Sequence, residues 1–191
     1  KQPLWVIGYS TGDYHMTSGI GLDDVDAAIM EMKDKYNKKV RLLAFDYLQE
    51  IEPEKSDDFR KEMIDNVQRV KRLGFKHKCP TVLAVQAKRD VDYREFKLPK
   101  YSDGMETSKI EQTSDKVFTL MMPERSGFNV GDEIKQLSYE DGTSVVCVED
   151  GIVIGLGKQR WGRSGMVYYG RIDFNKNRIY DVSRVILRGG M

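Results

Sequence analysis

Apolar residues in the first half of the chain alternate between short runs and helical stripes. Leu4 to Ile7 reads as a first strand, and Gly8 to Gly21, rich in Gly, Ser and Thr, as a loop. Leu22, Val25, Ile29, Met32 and Tyr36 recur at helical spacing, with acids in the first turn and lysines near the end. Leu42 to Phe45 is an apolar run that ends in Asp46, with Gln49 close behind. Such a run predicts a strand buried on both faces, the habit of parallel sheets under helices. After a polar loop from Glu50 to Asp57, a second helix shows the stripe Phe59, Met63, Val67 and Val70, with Gly74 marking its fading end. The methionines on both stripes read as core filler. Pro80 opens another apolar run, Thr81 to Val85, which ends in Gln86. The order strand, helix, strand, helix, strand implies right-handed crossovers and a parallel sheet.

The second half has a different rhythm. Lys88 to Ser114 is polar and mixed in charge, broken by Pro99 and Gly104; a loop of that length is functional or disordered. Lys116 to Met122 reads as a strand. Glu133 to Tyr139, Thr143 to Val148 and Ile152 to Leu156 read as short strands. Glu140-Asp141-Gly142 and Glu149-Asp150-Gly151 stand between them as hairpin signals. Met166 to Ile172 and Arg178 to Val182 predict a last hairpin over Asn175-Lys176-Asn177. The expected architecture is therefore α/β: a parallel central sheet flanked by helices, with a β-rich antiparallel C-terminal extension. Residues 1–191 are read as one partial domain, with an α/β portion over 1–125 and a hairpin-rich portion over 126–191.

Composition narrows little. The 191 residues carry 31 basic and 30 acidic side chains, a formal net charge of +1, so any nucleic-acid surface must be local. Cys79 and Cys147 fit a reducing compartment, with a single disulfide left open. No zinc-like spacing occurs, and His15 and His77 read as surface histidines. No apolar run is long enough to cross a bilayer, and no signal peptide is evident. The start at Lys1, with Trp5 soon after, suggests a piece of a longer chain.

Candidate chemistry sits at the ends of apolar runs. In open α/β sheets ligands collect beyond the carboxyl ends of the strands. Asp46 there could hold hydrated Mg²⁺ beside nucleotide phosphates, and the plain alternative is a turn-capping acid. Gln86 could report a terminal phosphate or simply cap a loop. Gln49 and Arg89 lie close to those two positions in sequence. Lys158-Gln159-Arg160-Trp161-Gly162-Arg163 is the densest basic segment. Lys158 and Arg160 are two apart on a strand and so project from one face. They could reach phosphates, or they could be a solvated hairpin tip. No Gly-x-x-x-x-Gly-Lys-Ser/Thr occurs anywhere, so these residues alone are not expected to bind or turn over ATP well.

Taken together these segments resemble the motor domain of DnaB-type replicative DNA helicases, a RecA-like fold. Phe-Asp-Tyr-Leu-Gln at 45–49 resembles the family's Ile-Asp-Tyr-Leu-Gln. Cys-Pro-Thr-Val-Leu-Ala-Val-Gln-Ala-Lys-Arg at 79–89 resembles Val-Pro-Val-Ile-Ala-Leu-Ser-Gln-Leu-Ser-Arg. Residues 101–115, with Ser-Asp-Gly-Met-Glu followed by Ile-Glu-Gln, resemble a segment reading Ser-Asp-Leu-Arg-Glu followed by Ile-Glu-Gln. Gly-Lys-Gln-Arg-Trp-Gly at 157–162 resembles Ala-Lys-Gln-Arg-Asn-Gly.

The resemblance implies an ATP- and Mg²⁺-dependent DNA helicase motor, cytoplasmic, hexameric and translocating on single-stranded DNA. Asp46 would be the Walker B metal acid and Gln86 the γ-phosphate sensor. Lys158 and Arg160 would act in trans on the next subunit's ATP. Ser102, Asp103, Gly104, Met105, Glu106, Thr107, Ser108 and Lys109 would lie in a loop facing DNA. The sequence departs from the family at Met105, where the family has arginine, at Ser108, where it has glycine, and in an apparent insertion from Arg125 to Gly151. The alternative is a RecA-like nucleic-acid-binding or assembly module without its own ATPase activity. A recombinase-like or clock-type ATPase of the same fold is a third reading.

Overall fold

The computed structural model describes Leu4, Ile7 and residues 20–52, 58–104 and 107–188, and divides the chain into two compact units, 1–86 and 87–191. The division falls at Gln86, earlier than the change of character placed at 125 from the sequence. Most of the strand expected at Leu4–Ile7, the loop after it and His15 lie outside the described residues, and Leu4 and Ile7 belong to no strand.

In the first unit, helix α1 (Leu22–Tyr36) starts where the Asp24 carboxylate accepts the Gly21 N–H at 3.0 Å, and stops at Asn37, which takes the left-handed conformation. Its stripe buries Leu22, Val25 and Ile29. Val25 and Ile29 join Leu73 in a core flanked by Val40, Leu43 and Phe45. Helix α2 (Phe59–His77) buries Met63, Val67, Val70 and Leu73. Asn66 on the same helix is also buried and donates to the Ile51 carbonyl at 3.2 Å. Strands β1 (Leu43–Phe45) and β2 (Thr81–Leu83) pair in parallel, Leu43 opposite Thr81 and Phe45 opposite Leu83.

The expectation of burial on both faces is corrected. Leu43, Phe45, Thr81 and Leu83 are half-buried, whereas Leu42, Ala44, Val82 and Ala84 are exposed. The apolar run is continuous, but the buried residues alternate along both strands, so one face of the pair is covered.

Two other expectations change. Gly74 does not end α2, which runs on to His77. A Cβ there would lie 2.7 Å from Thr81 Cγ2 and 3.0 Å from the Cys79 carbonyl oxygen, so glycine lets α2 approach β2 closely. His77 is not a free surface histidine. Its ring meets Asp26 at 2.6 Å, and Lys76 reaches the same carboxylate, so Asp26 is held below the usual carboxylate range.

The second unit is a six-stranded antiparallel sheet preceded by a short helix, α3 (Thr107–Thr113). Its strands are β3 (Lys116–Met121), β4 (Glu133–Tyr139), β5 (Ser144–Val146), β6 (Gly151–Gln159), β7 (Met166–Asp173) and β8 (Arg178–Leu187), in the order β3-β6-β7-β8-β4-β5. Ile134, Leu137, Val145, Val153 and Val167 are among the residues of one core. The turn at Glu140-Asp141-Gly142 makes the β4–β5 hairpin, and Gly142 takes a positive φ of 87° there. The second Asp-Gly makes no hairpin. β5 pairs only with β4, and β6 crosses to lie between β3 and β7. Cys79 and Cys147 are buried free thiols, and burial raises the pKa of each.

Gly74→Val is expected to destabilise the chain by about 2 kcal/mol, because a branched side chain overpacks the α2–β2 contact. Urea denaturation reads the effect. Adding Thr81→Ser should restore only part of the loss, since the Cys79 carbonyl still opposes the new side chain.

Candidate nucleotide and nucleic-acid sites

Backbone hydrogen bonds continue past the ends of the parallel pair. The Ala84 N–H donates to the Phe45 carbonyl at 3.0 Å, and the Leu48 N–H donates to the Ala84 carbonyl at 2.9 Å. Asp46 and Gln86 therefore leave the two strands on the same carboxyl rim, and both are exposed. An open cleft of about 350 Å³ is lined by Tyr47, Ala84, Val85 and Gln86. Leu48 is fully buried and anchors the turn Leu48–Glu50, which leaves Gln49 half-buried beside the rim. The Tyr47 hydroxyl donates to Glu50 at 2.8 Å, and that carboxylate raises the tyrosine's pKa.

The donor set suits Mg²⁺ rather than a metal held wholly by protein. Mg²⁺ keeps several waters and takes one or two carboxylates together with substrate phosphates. Asp46 supplies one such carboxylate. Among the described residues no group of three His, Cys, Asp or Glu could enclose an ion.

In the second unit, Arg89 opens a 3₁₀ turn (Arg89–Tyr93) and is exposed. The stretch expected to be a long loop is built of short elements instead. A 3₁₀ turn (Tyr101–Asp103) and α3 occupy much of it, and Gly104 bridges Ala87. Asp103 is buried, and its carboxylate binds the Arg94 guanidinium at 2.5 and 2.8 Å and the Lys100 N–H at 2.7 Å. Arg94 holds its carboxyl below the usual range despite burial. An Asp103 side chain committed to its own fold is not a DNA ligand, which corrects that assignment. Ser102 is exposed, Lys109 half-buried, and Thr107 and Ser108 form the first turn of α3. Met105 and Glu106 lie outside the described residues.

The Lys158 and Arg160 side chains reach the same element, but the picture of a free hairpin tip is corrected. Lys158 is half-buried and donates to the Glu111 carbonyl at the end of α3. Arg160 donates to the Gln112 carbonyl at 3.1 Å and pairs with Asp115 at 3.4 Å. Its side chain keeps 40% exposure, and the guanidinium lies 5.9 Å from the Trp161 ring.

Sequence reading missed Arg94, Asp115 and Gly157. A Cβ on Gly157 would lie 3.0 Å from Tyr101 Cβ, so glycine lets the Tyr101–Asp103 turn lie on β6. A glycine inside a strand is the signal that could have found it.

A parallel pair with polar residues on its carboxyl rim, followed by a larger antiparallel sheet, defines a RecA-like α/β domain. The chain belongs to the family of DnaB-like helicase C-terminal domains, whose profile matches residues 14–178. Among solved structures it is similar to the ATPase domain of a DnaB-like helicase, with a TM-score of 0.64 and 21% identity over 84% of this chain and 51% of that one. It is similar also to a DnaB-like replicative helicase described with its interactions with primase, with a TM-score of 0.65 and 20% identity over 84% of this chain and 36% of that one. The chain thus spans about half of the first relative and about a third of the second. No curated protein matches it.

Asp103→Asn is expected to cost about 1–2 kcal/mol at neutral pH, the loss of a charge-assisted pair on a partly exposed arginine. Because the folded carboxyl titrates below its unfolded value, this contribution is present above the unfolded pKa. It is lost as the pH falls through the folded one. The gap between wild type and variant should therefore narrow on acidification, read by urea denaturation at neutral and strongly acidic pH.

Proposed function

We propose that these residues form part of an ATP-dependent replicative DNA helicase motor that couples hydrolysis at subunit interfaces to movement on single-stranded DNA. The observation that carries this reading is the parallel pairing of β1 and β2, which sets Asp46 and Gln86 on one rim beside an open cleft. Bound Mg²⁺ would neutralise phosphate charge as it develops. Asp46 would hold that hydrated ion, and Gln86 would hydrogen-bond the terminal phosphate. Arg160, and Lys158 with it, would reach ATP held by the next subunit of a hexameric ring. The segment from Ser102 to Lys109, less the Asp103 side chain, would meet single-stranded DNA through backbone N–H groups and Lys109.

A second reading, a RecA-like binding or assembly module without ATPase activity, is favoured by one observation: both cations engage α3 of their own chain.

In a full-length DnaB-like polypeptide carrying these residues, Asp46→Ala is expected to lower DNA-stimulated ATP hydrolysis by at least about 10²-fold, with the circular dichroism spectrum unchanged. Turnover at the wild-type rate would remove the metal assignment and favour the module. Arg160→Ala is expected to spare nucleotide binding and to slow turnover by about 10³-fold. Mixing it with subunits defective in their own phosphate loop should restore part of the rate. Well-mixed rings without recovery would refute action in trans.

A further inference from the structure

In this structure Lys158 and Arg160 occupy the C-terminal end of α3. A helix that stops at Thr113 leaves the carbonyls of its last turn without N–H partners. Two of these, on Glu111 and Gln112, accept hydrogen bonds from the Lys158 ammonium and the Arg160 guanidinium. Cations there also meet the negative end of the helix dipole. Antiparallel pairing of β3 with β6 creates the arrangement. Val117 lies opposite Lys158 and Lys116 opposite Gln159, so the chain leaving α3 enters the strand beside the hairpin. The Arg160 N–H donates to the Asp115 carbonyl at 2.9 Å and completes the junction.

The other end of the segment rests on the same strand. Tyr101 lies against Gly157, one residue before Lys158. The Arg94–Asp103 pair and the Lys88 N–H bond to the Asp103 carbonyl at 2.8 Å hold the turn that leads toward α3. Residues 101–113 therefore contact β6 and its hairpin at both ends, and the C-terminal contact consists of two long cationic side chains on neutral carbonyls. A phosphate forms stronger charge-assisted hydrogen bonds with ammonium and guanidinium than a neutral carbonyl does.

We propose that Lys158 and Arg160 are a two-position coupling device: they cap α3 when no phosphate is in reach, and release its last turn when they engage one. The proposal rests on the reading of these side chains as phosphate ligands and extends it. Nucleotide engagement would loosen the C-terminal end of the segment whose other end is assigned to DNA. Asp115 is a positioning residue for Arg160 in the capped position.

Hydrogen–deuterium exchange of residues 109–115 tests both positions. In the 191-residue chain, Lys158→Met with Arg160→Gln should speed exchange of that peptide about tenfold, as loss of charged hydrogen bonds predicts. The β7–β8 hairpin should be unchanged. Arg160→Gln alone, at an exposed site that does not threaten folding, should give a smaller increase at Ser114, whose N–H bonds the Ile110 carbonyl at 2.9 Å. Lys158→Arg should restore protection. Unchanged exchange in both the double and the single variant overturns the cap.

In assembled full-length protein, adenylyl imidodiphosphate should speed exchange of 109–115 in wild type and add nothing in the double variant. Assemblies that bind the analogue yet keep this peptide protected overturn the coupling. The failure of the underlying reading looks different: Arg160→Ala would then hydrolyse ATP at the wild-type rate.

Discussion

Two backbone hydrogen bonds, from Ala84 to Phe45 and from Leu48 to Ala84, fix the register on which the candidate nucleotide site depends. They carry the parallel pairing of β1 and β2 beyond the last strand residue, so that Asp46 and Gln86, 40 residues apart in sequence, leave on one rim. A one-residue slip would turn the alternate residues over. Leu43 and Phe45 would leave the helices, and the exposed Leu42 and Ala44 would face them. The helices pack closely enough to oppose such a slip, because Gly74 allows α2 to approach Thr81 and Cys79 without a side chain between. Burial of the α1 and α2 stripes and placement of the polar rim are thus one constraint.

The second unit uses small residues in the same way. Gly157 admits Tyr101 onto β6, and a buried carboxylate, Asp103, gathers Arg94 and the Lys100 N–H into one joint. That joint turns a polar stretch with little apolar periodicity into a chain of short turns and one helix. The Arg94–Asp103 pair is sheltered enough to lower the acid's pKa, and its two parallel hydrogen bonds fix geometry as well as charge. The C-terminal end of α3 is held differently, by long flexible cations from the β6–β7 hairpin. The contrast between a rigid joint and a releasable one distinguishes the two ends of the segment.

Membership in the DnaB-like helicase C-terminal family joins these features to one architecture. The antiparallel sheet places the hairpin against α3, and the parallel pair presents an acid and an amide. The hairpin β4–β5, in the region that departs from the family's sequence pattern, contributes Ile134, Leu137 and Val145 to the core of its unit. It is therefore part of the packing of the second unit and not an appendage to it.

Helix periodicity, the strand runs and the β4–β5 and β7–β8 hairpins were legible in the sequence, because each follows from local spacing of apolar residues and from turn chemistry. The same local chemistry marked Asp46 and Gln86 as polar residues ending apolar runs. The choice of partners was not legible. The second Asp-Gly turn has the same signal as the first, yet β6 leaves β5 to pair with β3 and β7, where Val153, Ile152 and Leu156 are buried. Nor could spacing reveal that Asp103 is spent on Arg94, or that Lys158 and Arg160 rest on α3, since those contacts join residues 9 and 47–48 apart. Sequence alone determined where strands and helices form and which side chains could carry chemistry. Only the tertiary structure decided which of those side chains remain available, because hydrogen-bond partners are set by packing between distant segments and not by neighbours along the chain.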